Sequence, residues 1–221
     1  MSIHAAIFDA DGTILDSMGI WAELGERYLN TLGIAAKRGL SDILSSMSLE
    51  EGCAYLKEKY ALKNSIEELQ KGLIDILSDF YIYEVREKPG ITDFLSNLKA
   101  HGIPMVIATA GNTGLLSSAL KRLNIYGYFD RIFTCGELNT TKKEPHIYQV
   151  AATFLNTDPD ETLVFEDVLF AIKTAKEAGF YTVGVEDHSS EQDRTQIIKT
   201  ADYYLTDFTD FKTFWRHASG K

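Results

Sequence analysis

Short apolar runs bounded by turn residues recur along this chain, and stretches of helical period lie between them. Residues 4–8 (HAAIF) form an apolar run of the length of a buried strand. Helical spacing follows over residues 17–33 and stops at Gly33. The tetrapeptides SLEE from Ser48 and SIEE from Ser65 are capping boxes, and each opens a further helical pattern. From residue 17 to about 85 the pattern predicts helices only, until Pro89-Gly90 punctuates the chain. The rhythm then changes to alternation. Helices are predicted over 92–101, 114–123, 145–155, 169–178, 190–199 and 207–217. Between them lie the strand-like PMVIAT, YFDRIFTC, ETLVFED, YTVGV and DYYLT. Gly102 and Gly179 close two of these helices, and Pro145 opens another.

Strands that alternate with helices imply right-handed crossovers and an α/β fold with a doubly wound parallel sheet, a Rossmann-like core. The simplest division puts the α/β core in residues 1–15 and 87–221. An all-helical cap of residues 16–86 is then inserted after the first strand. Open parallel sheets bind ligands outside the carboxyl ends of their strands. The insert leaves the sheet at such an end, where it can cover a site, with hinges expected near 15–17 and 86–90. Trp21 is expected to be buried within the insert.

Composition narrows the function. The chain of 221 residues carries 22 basic and 32 acidic side chains, a net charge of −10. No basic face for nucleic acid is indicated. A small anionic substrate remains compatible with this charge if a bound cation inverts the local field. The two cysteines, Cys53 and Cys135, stand far apart and read as buried thiols rather than a disulfide. No run approaches a membrane span, and no basic segment precedes an apolar one at the N-terminus. A cytoplasmic monomer that touches neither membrane nor nucleic acid is the expectation.

The chemistry gathers at strand ends. Directly after the first apolar run stand Asp9 and Asp11, followed by Gly12 and Thr13. Two like charges that close together serve no ordinary turn. Thr109 ends a second strand, Lys142 precedes the helix that starts at Pro145, and Glu166-Asp167 end a further strand. Carboxylates from two strands make a hard oxygen site, which suits Mg²⁺ with its preference for carboxylates, waters and a phosphate. A hydroxyl and a lysine suit phosphate oxygens, the lysine as a point charge. Asp9 is placed as a nucleophile, and Asp11 as the group exchanging a proton with a leaving group or water. Gly12 lets the backbone turn tightly. Glu166 has three open roles: metal contact, support of a neighbour, or capping of the next helix. The glycines of TAGNTG read as a cradle of N–H groups for phosphate and equally as a strand-to-helix turn, and both roles can hold together. Lys37 and Arg38 read as a solvated loop of the insert, with contact to a second phosphate as the sharper alternative. The five histidines are scattered, without metal-ligand spacing.

Taken together, DADGT after an apolar strand, Thr109, a lysine three residues before Pro145 and a strand-end acidic pair resemble the four motifs of the haloacid dehalogenase superfamily. The helical insert and the stretch EDVLFAIKTAKEAG are similar to its β-phosphoglucomutase-like branch. The resemblance implies Asp9 as nucleophile and Asp11 as general acid and base. It implies Mg²⁺ held by Asp9, the backbone carbonyl of Asp11 and Asp167, with Glu166 beside them. Thr109, Ala110 and Lys142 would hold the phosphoryl group. Val168 and Ala171 stand where the family often has serine and glycine, and neither is expected to bind metal. An acid at position 11 argues against dehalogenation and against phosphonate cleavage. The implied activity is a Mg²⁺-dependent phosphatase that hydrolyses a small phosphorylated metabolite through an aspartyl phosphate. A sugar-phosphate mutase is the alternative.

Overall fold

A computed structural model describes residues 2–44 and 47–220. The chain divides into two compact units, Met1–Asp16 with Arg86–Lys221, and Ser17–Val85. The first unit is α/β. Its strands in chain order are β1 (Ala5–Phe8), β2 (Leu15–Asp16), β3 (Arg86–Glu87), β4 (Met105–Thr109), β5 (Arg131–Thr134), β6 (Thr162–Glu166), β7 (Tyr181–Val185) and β8 (Tyr203–Leu205). Six of them form one parallel sheet in the order β5-β4-β1-β6-β7-β8. The strand order reverses around β1, so the crevice at the carboxyl ends of β1, β4 and β6 is the expected ligand position for such a sheet.

Residues of β1 are buried on both faces, which explains its unbroken apolar run. Successive side chains alternate between faces. Ile7 and Val164 join Val106, Phe133, Ile147 and Tyr148 on one side. On the other, Phe8 stacks on Phe165 with ring centroids 4.2 Å apart. Phe94, from the helix Ile91–Ala100, and Phe214, from the helix Phe211–Ser219, meet Phe165 edge-on or tilted. Helices thus cover both faces, as a doubly wound sheet requires. The strands β2 and β3 pair antiparallel, so the two chain crossings into the helical unit run side by side as a short ribbon.

Two helical expectations in this unit change. Over 190–199 only the second half is α-helix, Arg194–Thr200; the chain before it, His188–Asp193, is a 3₁₀ turn. Asp187 accepts from both the amide and the hydroxyl of Ser189 and winds that entry tightly. The final helix begins at Phe211 rather than 207. Asp207 holds Thr209 in a turn, and Asp210 caps the helix through the amide of Thr213.

The second unit contains the helices Gly19–Thr31, Leu40–Leu44, Leu49–Lys59 and Ile66–Asp79, and a π-helical turn over Phe80–Glu84. Both capping boxes form, Ser48 with Glu51 and Ser65 with Glu68. Trp21 is half exposed at 51%, contrary to its expected burial. Its helix buries Ile20, Leu24, Gly25, Tyr28 and Leu29, while Trp21 near its start stays half exposed. Both cysteines are buried free thiols. No helix among the described residues is long and apolar enough to cross a membrane.

Candidate active site

Asp9 follows β1 directly, and its amide donates to the carbonyl of Phe165 on β6 at 2.9 Å. The loop after it doubles back at once: the amides of Ile14 and Leu15 both donate to the carbonyl of Ala10, each at 2.9 Å. Gly12 sits in this loop at φ +83°, a conformation a side chain would strain. The fold-back holds Asp11 at the strand end, half-buried, while Asp9 and Thr13 are buried.

Thr109 and Glu166 are the last residues of β4 and β6, the two neighbours of β1 in the sheet. Lys142 arrives from the loop after β5. Of the adjacent lysines, Lys142 is buried and Lys143 exposed, so the turn over 141–144 sends one inward and one to solvent. The Nζ of Lys142 bridges two acids. It donates to Oδ1 of Asp9 and lies 2.7 Å from Oε1 of Glu166. Glu166 and Asp167 thus join Asp9 in a single buried cluster, with one carboxylate oxygen of each within 4.8 Å of the others. The hydroxyl of Thr13 donates to Oδ1 of Asp167 at 3.4 Å.

Gly111 lies where the chain leaves β4. A β-carbon there would come within 2.9 Å of Oδ2 of Asp11 and 3.3 Å of the Thr109 hydroxyl. Asp11 therefore occupies the space that only a glycine leaves open. Thr109 itself accepts from the Gly111 amide at 2.9 Å, and Asn112 accepts from the amides of Gly114 and Leu115. The N–H groups of Gly111 and Gly114 are thus engaged within the strand-to-helix turn. Ala110 is exposed at the head of that turn.

The electrostatics of the cluster follow from its burial. Burial raises the carboxyl of Asp9 well above the usual range; Glu166 and Asp167 push it the same way, and Lys142 opposes them. Asp167 is pushed up to about 7, by burial first and then by Glu166. Burial works against the charge on Lys142, yet Asp9 and Glu166 outweigh it and hold the ammonium protonated. One cation for three buried carboxylates leaves an excess of negative charge. Oε2 of Glu166 and Oδ2 of Asp167 are buried without a hydrogen-bond partner. An all-carboxylate set with two unpartnered oxygens fits a hard divalent cation such as Mg²⁺.

Two further sets of residues belong to this end of the sheet and carry no sequence signal of their own. Tyr148, on the helix His146–Leu155, donates its hydroxyl to Oε1 of Glu166 at 2.6 Å. Lys88, just past β3, donates to Oδ2 of Asp187 at 2.6 Å and to the carbonyl of Glu186 at 2.9 Å. Asp187 is close enough to Asp167 to raise its carboxyl further. A lysine and an aspartate 99 positions apart meet only through the topology, so no local pattern announces them.

A model of the haloacid dehalogenase-like hydrolase family matches residues 6–185. The chain belongs to that family of hydrolases. It is 27% identical over 187 residues to a phosphorylated carbohydrates phosphatase of Thermotoga maritima, covering 85% of this chain and 87% of the relative. It is 27% identical to the validoxylamine A 7′-phosphate phosphatase of Streptomyces hygroscopicus subsp. limoneus, covering 96% of each. Among solved structures, a candidate β-phosphoglucomutase from Thermotoga maritima superposes with a TM-score of 0.85 at 24% identity, over 97% of this chain and 99% of that one. The likeness to this last structure is one of fold.

Proposed function

We propose that the chain is a Mg²⁺-dependent phosphatase of a small phosphorylated metabolite, working through a phosphoryl group carried on Asp9. The observation that carries this reading is the buried cluster of Asp9, Glu166 and Asp167 around Lys142, at the carboxyl end of the central strand. Two relatives are named as phosphatases, one of phosphorylated carbohydrates. Those names support the reaction class and suggest substrates of that kind.

Asp9 would attack phosphorus in line, its carboxylate oxygen forming the new P–O bond as the bond to the leaving oxygen breaks. Asp11 would give that oxygen a proton. In the second half Asp11 would take a proton from water, whose oxygen attacks phosphorus and releases Asp9. Lys142 stands between Asp9 and Glu166, where its charge can offset that of the equatorial phosphoryl oxygens. Thr109 ends β4 beside the same crevice, and it and the following Ala110 would contact the phosphoryl group. Asp9, Glu166, Asp167 and the backbone carbonyl of Asp11 would hold Mg²⁺. When bound, the ion neutralises phosphoryl charge and orients the group for attack.

The test is phosphate release from a panel of phosphorylated metabolites, with and without Mg²⁺, by the native chain and by Asp9→Asn. Release that needs Mg²⁺ and vanishes in the variant is the expected result. Interconversion of sugar phosphates without release would move the assignment to a mutase. Release unaffected by Asp9→Asn would remove Asp9 from the chemistry.

A further inference from the structure

The two oxygens of Glu166 are treated unequally. Oε1 takes both the Tyr148 hydroxyl at 2.6 Å and the Lys142 ammonium at 2.7 Å. Oε2 is buried and has no partner. Strand alternation explains how a tyrosine reaches this place. Glu166 lies two residues beyond Val164 and so projects from the same face of β6. Val164 belongs to the apolar cluster that contains Ile147 and Tyr148. The helix that covers this face therefore brings the Tyr148 ring into the core and its hydroxyl to the strand end.

Packing alone does not ask for that hydroxyl. The Tyr148 ring is fully buried and meets Phe180 edge-on, contacts that a phenylalanine would also make. A buried hydroxyl is costly unless it is bonded. We propose that Tyr148 is a positioning residue for the cation site. Its hydrogen bond assigns Oε1 of Glu166 to the lysine side and reserves Oε2 for the divalent cation. The inference rests on the Mg²⁺ reading above and adds a residue to it. Without the hydroxyl, Oε1 keeps only Lys142, and the carboxylate is free to rotate and offer either oxygen to either partner. Loss of such an outer hydrogen bond typically costs about 10–100-fold in metal affinity.

The experiment is Mg²⁺ titration by calorimetry on the full chain, comparing the native protein with Tyr148→Phe, Glu166→Gln and the double variant. Tyr148→Phe should bind Mg²⁺ at least about tenfold more weakly, with kcat at saturating Mg²⁺ changed less than the Mg²⁺ requirement. In the Glu166→Gln background the same substitution should cost little more, because it acts through the group already altered. Equal affinity of the native protein and Tyr148→Phe overturns the inference and leaves the cation site standing. A full further loss in the Gln background also overturns it, since the ring would then act through packing. If the native protein binds no Mg²⁺, the inference and the metal reading fall together. Should Tyr148→Phe not fold, Glu166→Gln decides alone: undiminished Mg²⁺ affinity would show that Oε2 is not a ligand.

Discussion

Asp9 shares Lys142 with Glu166, and its own second neighbour, Asp11, lies against the bare backbone of Gly111. Asp9, Asp11 and Glu166 were readable in the chain because they stand at the ends of apolar runs, where a parallel sheet places its ligands, and Lys142 through its spacing to Pro145. Position along the strand told which carboxylates would meet; it did not tell how tightly. Gly111 illustrates the difference. In the sequence it is one glycine of a turn, whereas in the fold it is the gap that accommodates a carboxylate. Gly111→Ala should push the Asp11 carboxylate aside, since 2.9 Å from a β-carbon to Oδ2 is too short to keep. The expected outcome is a fall in kcat of about tenfold or more, in line with loss of a positioned acid and base, and little change in melting temperature. Steady-state kinetics and a thermal melt on the same preparation check both halves. Unchanged kcat would mean that Asp11 has room to spare.

At the scale of elements, the loops that end β1, β6 and β7 are tied together by side chains rather than by the sheet. Lys88 is the clearest case. Its amide donates to Ile14, its ammonium holds Asp187 and the carbonyl of Glu186, and the next residue, Pro89, accepts from the amide of Phe208. Within the stretch 86–90, where a hinge is expected, residues 88 and 89 are thus bonded to the α/β unit, and Arg86 and Glu87 pair with β2. Lys88 and Asp187 are both buried, so removing one strands the other charge. Lys88→Met should lower stability by about 3–5 kcal/mol, the usual cost of breaking a buried pair from one side. Adding Asp187→Asn should restore part of that loss, read as unfolding midpoints in urea. A single variant within about 0.5 kcal/mol of the native protein would show the pair to be solvated in solution. The helices of the second unit, by contrast, owe much to local signals. Both S-x-x-E boxes closed as the sequence indicated, because a capping box is satisfied within four residues.

For the molecule as a whole, the burial of three carboxylates couples stability to pH and, under the proposed Mg²⁺ reading, to a divalent cation. Without a cation, Asp167 in the folded chain holds its proton up to about 7, against about 4 when unfolded. Its folded pKa is raised, so its contribution to stability is complete below about 4 and is lost as pH rises through about 7. Divalent binding requires the ionised form, so the cation does most where the bare cluster is most strained. Saturating MgCl₂ should therefore raise the melting temperature more at about pH 8 than at about pH 6, and chelation should reverse the gain. A shift independent of pH over that interval would mean that the cation binds away from these acids.

Periodicity alone determined the alternation of strands and helices, and hence the parallel sheet with its helical insertion. These depend on spacing within a few residues, and spacing is written into the chain. The four site motifs were legible for the same reason, each being a local pattern: three at the end of an apolar run, and the lysine by its spacing to Pro145. Tertiary structure alone decided that Trp21 stays half exposed, and that Tyr148 and Lys88 reach carboxylates near the sheet end. Such partners are brought together by crossovers many residues long, and their pairing depends on where a buried donor finds its acceptor. No short window of sequence contains both ends of that bond.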